Sequence, residues 1–359
     1  SVFIFSGAGS VCDHDQHVPL FVLGDSFVDT GNNNYINTIP VAQSNYSPYG
    51  QTFFKFPTGR WSDGRVLPDF LAEYANLPLL LPYLHPGNNH FYTHGINFAS
   101  GGAGALHQTH QGLVISLKTQ LSYFNKVKRI LRKQLGGSTQ AETLLSRGVY
   151  LISIGANDYG AFASDSKLLH SYSLEQYVDM VIGNLTSAIT EIHKRGGRKF
   201  VVLNVWPLNH VPAVEEAVAS QAGKDSRVEQ LTQLVELHNR QLYKALQKLS
   251  TELDGFIYSY ADFYNVINGI ISNPAKYGIK EVKAACCGSG KFRGIQSCGG
   301  KGDAKEYELC GNPNEYLFFD SNHGSDRGYK ILAEMIWNGD SESSRPVNVK
   351  SLFQSVIQN

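Results

Sequence analysis

Ser26 is the first residue whose setting suggests chemistry. It ends the segment Leu20-Phe21-Val22-Leu23-Gly24-Asp25-Ser26, in which an apolar run reads as a buried strand that breaks at Gly24. A hydroxyl just past the carboxyl end of a first buried strand sits where open α/β sheets carry their sites. A serine hydroxyl is a weak nucleophile until a base takes its proton. A partner base stands near the other end of the chain, in Asp320-Ser321-Asn322-His323. An Asp so close before a His can fold back in a turn and accept the Nδ1 proton. That fixes the tautomer and leaves Nε2 free to face a serine.

Two further stretches could complete the chemistry. In Gly155-Ala156-Asn157-Asp158, after the apolar run Val149 to Ile154, the Asn157 amide can point into a cleft and donate to an oxyanion. In Thr58-Gly59-Arg60-Trp61-Ser62-Asp63-Gly64-Arg65, Gly64 precedes a helix start with Pro68 in its first turn. A glycine there can turn an unobstructed backbone N–H toward negative charge. Taken singly, each stretch also reads as an ordinary cap or turn. The four in this order point to a serine hydrolase. The absence of Gly-x-Ser-x-Gly around Ser26 separates the chain from the α/β-hydrolase layout.

These blocks resemble the GDSL esterase/lipase family, the SGNH hydrolases, and most of all its large plant branch of secreted members. The resemblance covers essentially the whole chain. Phe21 to Asn33 matches the first block with Ser26 as nucleophile, Gly64 the second, Asn157 the third, and Asp320 with His323 the last. Tyr46-Ser47-Pro48-Tyr49-Gly50, Asn97 to Gly104 and Ala285-Cys286-Cys287-Gly288 are also family-like. The resemblance implies an acyl-enzyme on Ser26 with His323 as base and Asp320 as its orienter. The oxyanion would be held by the backbone N–H groups of Ser26 and Gly64 and the Asn157 amide. It implies no metal and no organic cofactor. Many members carry proline directly after the histidine, where this chain has Gly324, which makes a less rigid turn.

The expected activity is hydrolysis of a lipid or small-molecule ester. The alternative is an acyltransferase that passes the acyl group from an activated donor such as acyl-CoA to an alcohol, because both share the acyl-enzyme. A non-catalytic binder is disfavoured by the filled triad. Nucleotide binding through Gly101 to Gly104 is disfavoured because no Gly-Lys-Ser/Thr follows. Cys12, His14 and His17 near the start do not read as a metal site, and His107 and His110 read as solvated loop residues that could also border the pocket.

Strand-length apolar runs recur at Leu20 to Leu23, Val149 to Ile154, Phe200 to Val205, Phe256 to Tyr260 and Tyr316 to Phe319. Helical periodicity fills Ser116 to Leu135, Leu174 to His193 and Val228 to Leu249. Alternation of this kind predicts a parallel sheet covered on both faces. Together with the resemblance, it predicts a three-layer α/β/α fold around a mostly parallel five-stranded sheet, flavodoxin-like in layout. A single domain over residues 18–345 is expected, with an N-terminal segment 1–17 and a C-terminal tail 346–359. Tyr35 to Phe56 and Ala284 to Asn314 break the rhythm and read as long surface loops that carry function or a staple.

Lys plus Arg and Asp plus Glu are equal at 31 each, which argues against a nucleic-acid partner. No apolar run approaches the roughly 20 residues of a membrane span. Of five cysteines, Cys286, Cys287, Cys298 and Cys310 crowd one stretch and read as a disulfide-stapled loop. Adjacent Cys286 and Cys287 do not have the spacing of a zinc ligand pair. Cys12 is left free or paired out of pattern. The sequons at Asn45 and Asn184 agree with a secreted, extracellular glycoprotein.

Overall fold

The computed structural model describes residues 17–87, 91–220, 226–300 and 306–356. Cys12 and His14 lie outside the described residues. Five parallel strands form the centre: β1 (Leu20–Gly24), β2 (Gly95–Asn97), β3 (Val149–Ser153), β4 (Lys199–Leu203) and β5 (Ile257–Ala261). A separate ribbon pairs β6 (Cys287–Gly288) with β7 (Glu308–Leu309), and β8 (Ser344–Pro346) joins the main sheet antiparallel to β5. The sheet order is β2-β1-β3-β4-β5-β8. β1, β3 and β4 are buried along their whole length, as strands covered on both faces must be.

The helices are α1 (Leu67–Tyr74), α2 (Leu117–Gln134), α3 (Ser138–Arg147), α4 (Ala156–Ser164), α5 (Ser166–Ser171), α6 (Leu174–Lys194), α7 (Pro212–Ser220), α8 (Ser226–Glu252), α9 (Phe263–Ser272), α10 (Asp326–Asn338) and α11 (Val349–Gln354). By their mutual packing α2, α3, α6 and α8 make one layer, and α1, α9, α10 and α11 the other. The periodicities read from sequence form as expected. Ser116 caps α2 through Thr119 N–H, and Leu117, Phe124, Val127 and Leu131 are buried on one stripe. Ser173 and Gln176 make a reciprocal capping box on α6. Among the described residues no helix is long and apolar enough to cross a membrane.

The expected mostly parallel sheet is present, with five parallel strands and β8 as an added antiparallel edge, but its membership differs. Tyr316 to Phe319 is not one of its strands. Its backbone pairs instead with the stapled loop, where Cys286 and Cys287 donate to the carbonyls of Phe318 and Phe319 at 3.0 and 2.7 Å. The fifth parallel strand is β2, three residues long and too short to leave an apolar run. Nor is the segment after 345 a loose tail, since Val349 and Leu352 of α11 are fully buried.

The two long segments expected at the surface do more than cover it. Tyr49 from the first and Cys286, Cys287 and Cys298 from the second form a separate core with Trp61 and Phe319. Disulfides Cys286–Cys310 and Cys287–Cys298 staple it.

Candidate active site

Gly24 brings the chain off β1 with φ of 152°, a value open chiefly to glycine, and a Cβ there would meet the Ser153 carbonyl oxygen of β3 at 2.1 Å. Gln120 of α2 grips this point, accepting from Gly24 N–H at 2.8 Å and donating to its carbonyl at 2.9 Å. Asp25 N–H bonds to Ser153 and the Asp25 carboxylate accepts Phe27 N–H at 3.1 Å, which closes the turn. Burial pushes the Asp25 carboxyl up to about 7. The turn leaves Ser26 at the mouth of a cavity of about 590 Å³, at the β1/β3 switch point of the sheet.

The structure brings Ser26, Asp320 and His323 into one hydrogen-bonded chain. Ser26 Oγ lies 2.8 Å from His323 Nε2, and His323 Nδ1 lies 2.8 and 3.0 Å from the two Asp320 oxygens. With Nδ1 protonated toward Asp320, Nε2 is the acceptor for the serine proton. The Gly324 turn is held from within. Asp320 Oδ1 accepts the N–H groups of Asn322 and His323 at 2.9 and 2.8 Å, and Phe319 N–H bonds to the His323 carbonyl at 2.8 Å. The Trp61 ring stacks on His323 with centroids 4.7 Å apart.

Asp320 is further bound by the buried Tyr49 hydroxyl, which donates to its Oδ2 at 2.7 Å. Burial alone would push this carboxyl up. The His323 charge and hydrogen bond, with those of Tyr49 and Asn322, outweigh it and hold Asp320 below the ordinary carboxylate range. Phe319, the residue before Asp320, packs edge-on to Tyr49. The stapled loop thus backs the acidic end of the chain.

Asn157, in the first turn of α4, lines the same cavity. Its amide donates to the Ala103 carbonyl at 3.0 Å and keeps a second N–H. Gly64 is not part of the site. It does not line the cavity, its N–H points to Ser62 Oγ at 3.1 Å, and a Cβ on it would meet Asp326 Oδ1 at 2.4 Å. The helix it precedes, α1, packs against α10 rather than opening toward Ser26. Gly101 and Gly102, in the loop leaving β2, line the cavity instead.

Gly101 N–H is taken by Asp29 Oδ2 at 3.0 Å, whereas the N–H groups of Gly102 and Ser26 meet no acceptor among the described residues. Gly102 turns its amide with φ of 84°, again a glycine conformation. The loop is anchored at both ends by buried carboxylates. Asp29 also holds Gly31 and Asn32, and Asp158 accepts from Ala105, Leu106 and Thr109 at 2.5–3.1 Å. Burial pushes both carboxyls up to about 6. His110 is exposed, as a loop residue should be, yet it borders the cavity with Nδ1 2.7 Å from the Gly102 carbonyl.

Gln120 carried no functional signal in the sequence alone, whereas Asp29, Tyr49 and Gly102 lie in family-like stretches that left their individual roles unassigned. The one available hint to Gly102 was a short glycine-rich stretch after Asn97, which also fits a plain loop.

Comparison with known proteins shows the family. A family profile described as GDSL-like Lipase/Acylhydrolase matches residues 20–336. The chain is 49% identical over 338 residues to GDSL esterase/lipase 1 of Arabidopsis thaliana, covering 93% of this chain and 90% of the relative. It is 48% identical over 339 residues to GDSL esterase/lipase 5 of the same plant, covering 93% and 87%. It is 46% identical over 339 residues to a GDSL lipase of Tanacetum cinerariifolium, covering 94% and 88%. The chain therefore belongs to the GDSL-like lipase/acylhydrolase family and is a serine carboxylester hydrolase.

Proposed function

We propose that Ser26 is the nucleophile, His323 the general base and acid, and Asp320 the group that orients His323 and stabilises its charged form. The observation that carries this is the Oγ–Nε2 contact of 2.8 Å, continued to Asp320 at 2.8 Å, at the mouth of a cavity. Ser26 Oγ attacks the ester carbonyl as its proton passes to Nε2. The oxyanion is received by the backbone N–H groups of Ser26 and Gly102 and by the Asn157 amide, each worth about 3 kcal/mol in such sites. Gly102 replaces Gly64 in this role. His323 then hands its proton to the departing alkoxide, and water repeats the sequence on the acyl-enzyme.

The substrate is a neutral ester whose alcohol departs and whose acyl group passes to water. Among the described residues lining the cavity, none is Lys, Arg, Asp or Glu. A site for an acyl-CoA donor would need cations for its phosphates, so the lining favours hydrolysis over acyl transfer from such a donor. We also assign the protein to the secretory route. The paired cysteines and the exposed Asn45 and Asn184 support this.

Ser26→Ala should lower p-nitrophenyl ester hydrolysis by about 10⁴-fold or more while the thermal midpoint is kept. A fluorophosphonate should add once, at Ser26, by peptide mass spectrometry. Labelling at another serine, or a variant of undiminished activity, would sink the assignment.

A further inference from the structure

We propose that the trough along α4 receives the acyl chain of a medium-chain fatty acid ester, and that Gly160 sets the chain length accepted. This rests on the ester-hydrolase reading of the same site. α4 turns one face to the cavity, through Ala156, Asn157, Gly160, Ala161 and Ser164. Every side chain on that face other than Asn157 is small or absent. Trp206, Leu208, Val211, Val214 and Leu231 add apolar lining to the same cavity. The result is an apolar trough headed by Asn157, a proposed oxyanion donor.

Gly160 lies in the middle of that face. A Cβ built on it meets nothing within 4 Å, so no neighbouring atom requires a glycine there. Apart from proline, glycine is the residue least suited to a helix interior. What the missing side chain provides is space over the trough. From Asn157 to Ser164 the helix rises about 10 Å, a length that an extended acyl chain of about eight carbons covers.

The other flank of the cavity, Ile39 to Ala42 with Leu113 and Val114, falls to the alcohol. The two loops of this flank are tied together, since Thr38 donates to the Leu113 carbonyl at 2.7 Å. Trp61, on which His323 stacks, abuts Gly101, and Asn33 bridges Gly101 to Ala42 through their carbonyls. Nε2 must protonate the departing alcohol, so the alcohol leaves on the side of His323 and Trp61. The α4 side is then left to the acyl chain.

The test measures kcat/KM of wild type, Gly160→Ala and Gly160→Leu on p-nitrophenyl acetate and octanoate, and on octyl acetate by acid release. The octanoate-to-acetate ratio should fall about tenfold or more in Gly160→Leu, the scale on which an apolar pocket discriminates chain length. It should fall by less in Gly160→Ala. The octyl acetate to p-nitrophenyl acetate ratio should hold. An unchanged octanoate ratio in the folded leucine variant overturns the proposal. So does a fall confined to octyl acetate, which would place the alcohol along α4. Absence of wild-type turnover on every ester would instead strike the underlying hydrolase reading, so the two failures are distinguishable.

Discussion

Replacing Asn157 with alanine tests the least local part of the site, because this amide reaches Ser26 only through the alignment of β1 with β3. The substitution removes one side-chain donor from a cavity that otherwise offers the free N–H groups of Ser26 and Gly102. One oxyanion donor contributes about 2.7–4 kcal/mol to the transition state and little to the ground state. At about 1.4 kcal/mol per tenfold, kcat should fall 10²- to 10³-fold with KM nearly constant. The amide's bond to the Ala103 carbonyl, 3.0 Å long, is lost as well. That bond is worth about 1 kcal/mol of stability and costs a few degrees at most. The assay is initial-rate hydrolysis of a p-nitrophenyl ester over a range of concentrations, with circular-dichroism melting on the same samples. A loss below about fivefold in kcat would refute the donor role. A rise in KM at constant kcat would also refute it, since Asn157 would then bind substrate and transition state alike.

Gly64→Ala should act oppositely. Its Cβ would lie 2.4 Å from Asp326 Oδ1, which also receives Arg65, so stability falls by about 1–3 kcal/mol. Turnover per folded molecule should stay within about threefold, and a collapse of kcat in a stable variant would return Gly64 to the oxyanion site. Tyr49→Phe removes a hydrogen bond to a buried carboxylate worth about 1.5–3 kcal/mol. The Tyr49 bond is one of the contacts that hold Asp320 low, so its loss raises that carboxyl. Turnover should then fall about tenfold with KM steady, and an unchanged kcat counts against a positioning role. His238 is buried with its Nδ1 on the Tyr159 hydroxyl at 2.6 Å, and burial pushes it down from 6.5 to about 3. The unfolded chain therefore takes this proton first, so its contribution to stability is whole above pH 6.5 and wanes as pH falls toward 3. Between pH 7.5 and 5, wild type should lose about 2 kcal/mol more than His238→Gln in urea melts, and parallel curves would show that His238 is not held neutral.

Much of the site was legible in the chain because its chemistry is local. Asp320 and His323 meet within one turn, and Ser26 follows a strand that any apolar run of its kind would form. The order of blocks named the family before any distance was known. The elements with strong periodicity, α2 and α6 above all, appeared where they were expected. What failed was short or relational. β2 is too brief to leave a pattern, and Tyr316 to Phe319 has the composition of a strand but pairs with the stapled loop.

The sequence by itself singled out Ser26, His323 and Asp320 as candidates for a nucleophile, its base and orienter, and predicted a parallel α/β architecture. The architecture follows from burial periodicity, and the candidate roles from the ordered family-like blocks together with short-range turn geometry. Only the tertiary structure decided which glycine faces Ser26. The sequence pointed to Gly64, but β2 lies beside β1 and delivers Gly102 to the cavity. The helix after Gly64 packs on α10 and turns it away. The same is true of Tyr49, which sits 271 residues from Asp320 in the chain and bonds to it directly. Contacts of that range depend on strand order and on how long loops close. Local propensity does not encode either, because backbone preference extends only a few residues while the free energy of such contacts is settled by the packing of the whole sheet.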